Sequence, residues 1–205
     1  MVIKRVFSGV VVVVLFFSCL QVSVGGQFYE NSVLGIKVNC PEGWHMIYGK
    51  QIEENVKKVM KDLTDVPSIV ESVDRVGLLV VFSPVPYGEP VEYAANISFA
   101  REPLPPQVDD SLKYAKMSLL PIYQVFKDVK VLVEPVSESL KGIEAATFEY
   151  KGTIVRGYLE TPIRSRLYFF LKGGYGYVIS YTAKQEEFSK YWEKFKESLS
   201  SLEVK

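Results

Sequence analysis

Hydrophobic and polar positions alternate with a period of two along most of this chain, and a helical period replaces it in three places. From Phe28 the run Phe28-Tyr29-Glu30-Asn31-Ser32-Val33-Leu34-Gly35-Ile36-Lys37-Val38-Asn39 alternates about a turn and predicts a β-hairpin. Cys40-Pro41-Glu42-Gly43 breaks that pattern ahead of a third short strand near Trp44. Residues 50–63 place Ile52, Val56, Val59, Met60 and Leu63 on one stripe, with Glu53, Glu54, Lys57, Lys58 and Lys61 outside it, which predicts an amphipathic surface helix. Val76 to Phe82 is short, apolar and β-branched, and reads as a buried central strand. Pro84, Pro86, Gly88 and Pro90 form a rigid loop. Tyr93 to Arg101 then places Ala95, Ile97 and Phe99 on one face and Asn96 and Ser98 on the other, the pattern of a half-exposed strand.

Pro103, Pro105 and Pro106 end that strand, and Asp109 or Asp110 caps a second helix running to about Phe126, with Pro121 as a kink or a stop. A meander follows, with strands predicted at Val129–Val136, Ile143–Tyr150, Thr153–Thr161, Arg166–Leu171 and Tyr175–Thr182. Lys141-Gly142, Lys151-Gly152 and Gly173-Gly174 supply the tight turns, so consecutive strands pair antiparallel. From about Lys184 a closing helix sets Phe188, Tyr191, Trp192, Phe195, Leu199 and Leu202 on one stripe. Hairpins and helices without a βαβ rhythm predict the α+β class: an antiparallel β-sheet with helices packed on its faces.

Residues 1–25 stand apart. Lys4 and Arg5 precede an apolar run from Val6 to Leu20, and Ser23-Val24-Gly25 places small residues where a signal peptidase would cut ahead of Gly26. Two rivals use the same residues: lipidation at Cys19 within Phe16-Phe17-Ser18-Cys19, with Phe16 in place of the usual Leu, and an uncleaved anchor from Val6 to Val24. All three export the remainder, residues 26–205, as one domain. Loss of Lys4 and Arg5 takes the 24 basic and 24 acidic residues from balance to a charge of about −2. With basic and acidic residues interleaved throughout, nucleic acid is not an expected partner. Cleavage past Cys19 leaves Cys40 alone, so no internal disulfide staples the domain and stability rests on its core.

The opening Gly35-Ile36-Lys37-Val38 with Cys40-Pro41-Glu42-Gly43-Trp44, and the closing Tyr175-Gly176-Tyr177-Val178-Ile179-Ser180-Tyr181-Thr182 leading into Phe188, Tyr191, Phe195 and Ser198, together resemble the PsbP-like superfamily. That superfamily includes extrinsic lumenal photosystem II subunits, a nuclear Ran-binding factor and many exported prokaryotic proteins. The likeness spans most of residues 28–203. It implies a PsbP-like αβα sandwich and a small accessory or binding role without chemistry, and it carries no metal-binding or partner-binding residue onto this chain.

Candidate chemistry is sparse. His45 is the single histidine, so nucleophilic catalysis has one base to offer, and a surface or structural histidine is the plainer reading. Cys40 reads as a buried thiol. Asp62, Asp65, Asp74, Asp109 and Asp110 match no metal-ligand spacing, and Gly173-Gly174-Tyr175-Gly176 precedes a strand rather than the helix a phosphate loop requires. No cofactor is therefore expected, and no catalytic site. Asn96-Ile97-Ser98 is a glycosylation sequon placed on a strand. Thirteen Tyr and twelve Phe are many for this length; Tyr114, Tyr123, Tyr158, Tyr168, Tyr175 and Tyr177 either pack as core and cross-strand pairs or line a groove.

The leading expectation is an exported, non-enzymatic protein that binds a protein partner or membrane complex through a sheet face or the Pro84–Pro90 loop. Its candidate contact residues are Tyr87, Glu89, Tyr158, Tyr175 and Tyr177. The alternative is a carrier holding a small apolar ligand between sheet and helices. A hydrolase built on His45 is the third reading.

Overall fold

The computed structural model describes residues 27–52, 77–86 and 93–205. The targeting segment with Cys19, most of the helix expected at 50–63, and the loop residues Tyr87 and Glu89 lie outside the described residues. Ten strands are described: β1 (Phe28–Asn31), β2 (Ile36–Asn39), β3 (His45–Tyr48), β4 (Gly77–Ser83), β5 (Asn96–Pro103), β6 (Lys127–Leu140), β7 (Ile143–Arg156), β8 (Leu159–Lys172), β9 (Tyr175–Lys184) and β10 (Glu203–Val204). Three helices join them: α1 (Ser111–Met117), α2 (Leu119–Val125) and α3 (Phe188–Ser200). A further helical turn begins at Lys50.

Seven strands form one antiparallel sheet in the order β3-β4-β5-β9-β8-β7-β6, and β1-β2-β10 form a small second sheet. The period of two sends alternate residues to opposite faces, and each face of the large sheet carries a packed layer over part of its width. On its front face, Ile97, Phe99, Tyr177, Ile179, Tyr181 and Phe170 pack beneath β2 and α3. On its back face, Phe148, Tyr150, Ile163, Leu167, Phe169 and Val178 pack beneath α1 and α2. Helix layers on both faces of a hairpin-built sheet are the expected α+β sandwich.

Several expected elements shift. The Lys151-Gly152 turn does not form: β7 runs unbroken through both residues to Arg156, and Gly157 (φ +58°) with Tyr158 makes the turn. Gly152 is needed for space instead, because a Cβ there would stand 3.2 Å from Phe126 Cβ. β5 begins at Asn96 and is buried on both faces, since Asn96 and Ser98 point into the back layer where alternation had put solvent. Asn96 is 1% exposed and its amide nitrogen donates to Tyr93 Oη and the Ala94 carbonyl, which removes the sequon from the surface of the folded protein. Asp110 caps the second helix through Lys113 N at 2.7 Å, but the helix divides at Ser118 into α1 and α2. Pro121 then sits in the first turn of α2, where its missing N–H breaks no helical hydrogen bond.

Candidate functional site

The register of the meander decides which side chains share its front face. Lys151 on β7 lies opposite Lys130 on β6 and Arg164 on β8, so three cations stand side by side across three strands. One row further up β8, Arg166 lies opposite Glu149. Like charges directly opposite one another in a sheet repel and cost stability. Glu149 offsets part of this: it is 5% exposed, accepts from Arg164 Nε at 2.6 Å and Nη2 at 2.5 Å, and has Arg166 Nη1 at 3.8 Å. Glu138, on β6, stands 3.8 Å from Arg166 Nη2. Neither distance to Arg166 is a hydrogen bond, and its Nε is buried with no partner.

Aromatic rings position these guanidinium groups. Arg164 stacks over Phe188 at 4.3 Å, and Arg166 over Tyr168 at 5.4 Å and Trp192 at 5.6 Å. Phe188 and Trp192 belong to α3, which docks on β9 and β2 through Phe195 against Tyr181 and Tyr168 and through Ser198 Oγ donating to the Asn39 carbonyl. α3 thus stands as a wall beside the basic row, while Lys130 is exposed and Lys151 and Arg164 half-buried. Replacing Glu149 with Gln removes the charge that holds two arginines together. The expected loss is ~1–2 kcal/mol, below the value for a fully buried pair because Arg164 stays partly wet. Salt at ~0.5 M should recover part of it by screening the cations; urea unfolding at two ionic strengths checks this, and a loss that grows with salt would refute it.

The same hairpin supplies the second feature. β7 and β8 pair beyond the last β8–β9 pair, Ile163 with Lys184, so their turn overhangs the sheet. At this overhang Tyr158 is fully exposed, Val155 lies on the front and Leu159 on the back, both about half exposed. Val155, Tyr158 and Leu159 thus give the tip three exposed apolar side chains, and an exposed ion pair of Lys127 and Glu160 stands at its base.

Of the five contact residues expected from sequence, the three among the described residues do not meet. Tyr158 is at this tip. Tyr175 lies at the opposite end of the sheet, half-exposed beneath Arg101 at 4.7 Å, and Tyr177 is buried, stacked on Phe170 at 4.9 Å. Tyr87 and Glu89 lie outside the described residues. Three of the six tyrosines flagged for a groove fill the core: Tyr114 is fully buried and Tyr168 and Tyr177 nearly so, while Tyr123 is exposed on α2. The signal missed in the sequence is the row Lys130, Lys151 and Arg164, whose members are far apart in the chain and meet only through the register.

His45 starts the edge strand β3, opposite Ser83, half-buried. Cys40 is buried in the front core, and burial, with Glu197 adding a smaller push, drives its thiol up to about 12. A thiol held neutral at that level is a poor nucleophile, so Ellman's reagent at pH 8 is expected to label Cys40 only after denaturant is added; full labelling of the native protein within minutes would contradict this. Among the described residues no group of three His, Cys, Asp or Glu side chains is placed to hold a metal, and no helix is long and apolar enough to cross a membrane.

The layer order and strand order define a PsbP-like α+β fold. The solution structure of cyanobacterial PsbP (CyanoP) from Synechocystis sp. PCC 6803 is similar over 92% of this chain and 98% of its own, with a TM-score of 0.51 and 15% identity. LpqN, involved in cell envelope biogenesis of Mycobacterium tuberculosis, is similar over 87% of this chain and 84% of its own, with a TM-score of 0.51 and 10% identity. At such identities the likeness is one of fold. No family model matches the chain, and no curated protein matches it in sequence.

Proposed function

We propose that this is an exported accessory protein that acts by binding other proteins at or near a membrane, with the β7–β8 hairpin as its contact finger. The observation that carries the reading is the tip itself. Val155, Tyr158 and Leu159 expose apolar surface on a hydrogen-bonded overhang, and an exposed tyrosine flanked by apolar side chains is the kind of anchor that carries much of an interface's affinity once buried in a partner's pocket. The charged start and apolar run of residues 4–20 support export. The envelope role of LpqN, a protein of similar fold, supports a setting near a membrane. The aromatic excess that motivated a small-molecule carrier is largely taken up by core packing, as in the stacked Phe170 and Tyr177 and the Tyr181 and Phe195 pair.

A photo-reactive amino acid at position 158, introduced in the native host, tests this reading. The expected product is a single discrete protein adduct that disappears when Leu159 is changed to Asp. Irradiation that yields only lipid adducts, or none, overturns it.

A further inference from the structure

We infer that the open front face of β6, β7 and β8, beside α3, is a docking shelf for an acidic segment of a partner protein. This inference rests on the protein-binding reading above and names the chemistry of the partner. The shelf carries Lys130, Lys151, Arg164 and Arg166 against Glu149 and Glu138, a net positive surface on a chain of no net charge. Glu149 is buried beneath the arginines and already engaged by Arg164, so the outward-facing charge of the row is basic. Three adjacent cations are an electrostatic cost to the folded sheet that an incoming carboxylate would relieve.

Arg166 Nε is buried without a hydrogen-bond partner, and both of its terminal nitrogens stand 3.8 Å from carboxylates, too far for hydrogen bonds. Its plane is nevertheless held by Tyr168 and Trp192. That guanidinium is closed off at Nε and already flanked by Glu149 and Glu138, so the charge open to an incoming carboxylate is that of Lys130, Lys151 and Arg164.

Shape selects a protein segment over a lipid surface. α3 rises beside the row by about the width of a helix, some 10 Å, and its outer side mixes Lys194 with Glu197 and Lys196 with Glu193 in neutral pairs. A flat anionic bilayer would meet those neutral pairs before it reached Lys151 and Arg164. A strand or a helix from a partner fits on the shelf alongside α3.

Octaglutamate serves as the probe. Titrated at low salt into the isotope-labelled protein, it is expected to shift amide resonances around Lys130, Lys151, Arg164 and Arg166. The variant Lys130→Glu/Lys151→Glu, which leaves the Arg164–Glu149 pair intact, should bind at least about tenfold more weakly. The control Lys190→Glu/Lys194→Glu carries the same charge change on α3 and should stay within about twofold. Equal weakening in both variants, shifts scattered over the surface, or binding to phosphatidylglycerol vesicles but not to octaglutamate would each overturn the shelf. Photo-crosslinking at position 158 reads the finger and not the shelf, so loss of the shelf with an intact protein adduct leaves the accessory role standing, and loss of the adduct removes the reading on which the shelf rests.

Discussion

Replacing Gly176 with Ala is expected to lower the free energy of unfolding by ~3 kcal/mol, the upper end of the usual cost of overpacking. Gly176 lies on β9 facing the back layer, and a Cβ there would stand 2.5 Å from Tyr114 Cε1, 2.6 Å from Cζ and 2.7 Å from Leu104 Cδ2. Carbon atoms in contact need roughly 3.5–4.0 Å, so something must move by about an ångström. Tyr114 is poorly placed to yield. Its ring is fully buried and edge-on to Phe169 at 5.1 Å, and its hydroxyl donates to Glu102 Oε1 at 2.6 Å. The remaining way out is to lift α1 from the sheet. Gly77→Ala is the control, because its Cβ would meet nothing closer than 3.5 Å. Urea unfolding of the two variants checks the comparison, and a Gly176→Ala cost below ~0.5 kcal/mol would show that α1 shifts freely.

The second large effect is expected at Phe195, where truncation to Ala should cost ~4 kcal/mol, within the range for removing a core aromatic. Phe195 is fully buried and stacks on Tyr181 at 5.0 Å, with Trp192 at 5.3 Å and Tyr168 at 5.8 Å. It is the anchor of α3 on the front face. The loss should appear both in the denaturation midpoint and as a weakened near-ultraviolet circular dichroism band, because three aromatic rings lose a fixed neighbour together. A cost under ~1 kcal/mol would mean that α3 is held mainly by its polar links to Asn39 and Lys141.

Much of this architecture was legible in the sequence because periodicity survives where packing is regular. The stripe Phe188, Tyr191, Trp192, Phe195 and Leu199 reads directly as the inner side of α3, while Leu202, expected on the same stripe, is buried just past the helix end. The errors have local causes. A Lys-Gly pair signals a tight turn, but Gly152 is there to let Phe126 approach β7, while the real turn at Gly157 is followed by a tyrosine and carries a weaker signal. Asn96 and Ser98 look solvent-facing until a second layer of structure covers them. The misplaced turn also concealed the basic shelf. With Lys151 in a turn it pairs with nothing, and only the continuous β7 brings it between Lys130 and Arg164. The finger was half visible, since Tyr158 stood out among the tyrosines but its overhang depends on where β9 ends.

The order of strands in the large sheet carries a consequence for how the molecule folds and opens. The sheet consists of two pieces, β3-β4-β5 and β9-β8-β7-β6, that meet only where β5 pairs with β9 from Asn96–Thr182 to Pro103–Tyr175. Within the meander neighbouring strands follow one another directly in sequence, so each hairpin closes a short loop. The β5–β9 junction closes a long one and bears a higher entropic barrier. It is therefore the natural last step of assembly and the natural first line of partial opening, along which the four-stranded meander would separate as a cooperative unit. Amide hydrogen exchange under native conditions is expected to show β7 and β8 as the most slowly exchanging strands, with β5 exchanging earlier through openings smaller than global unfolding.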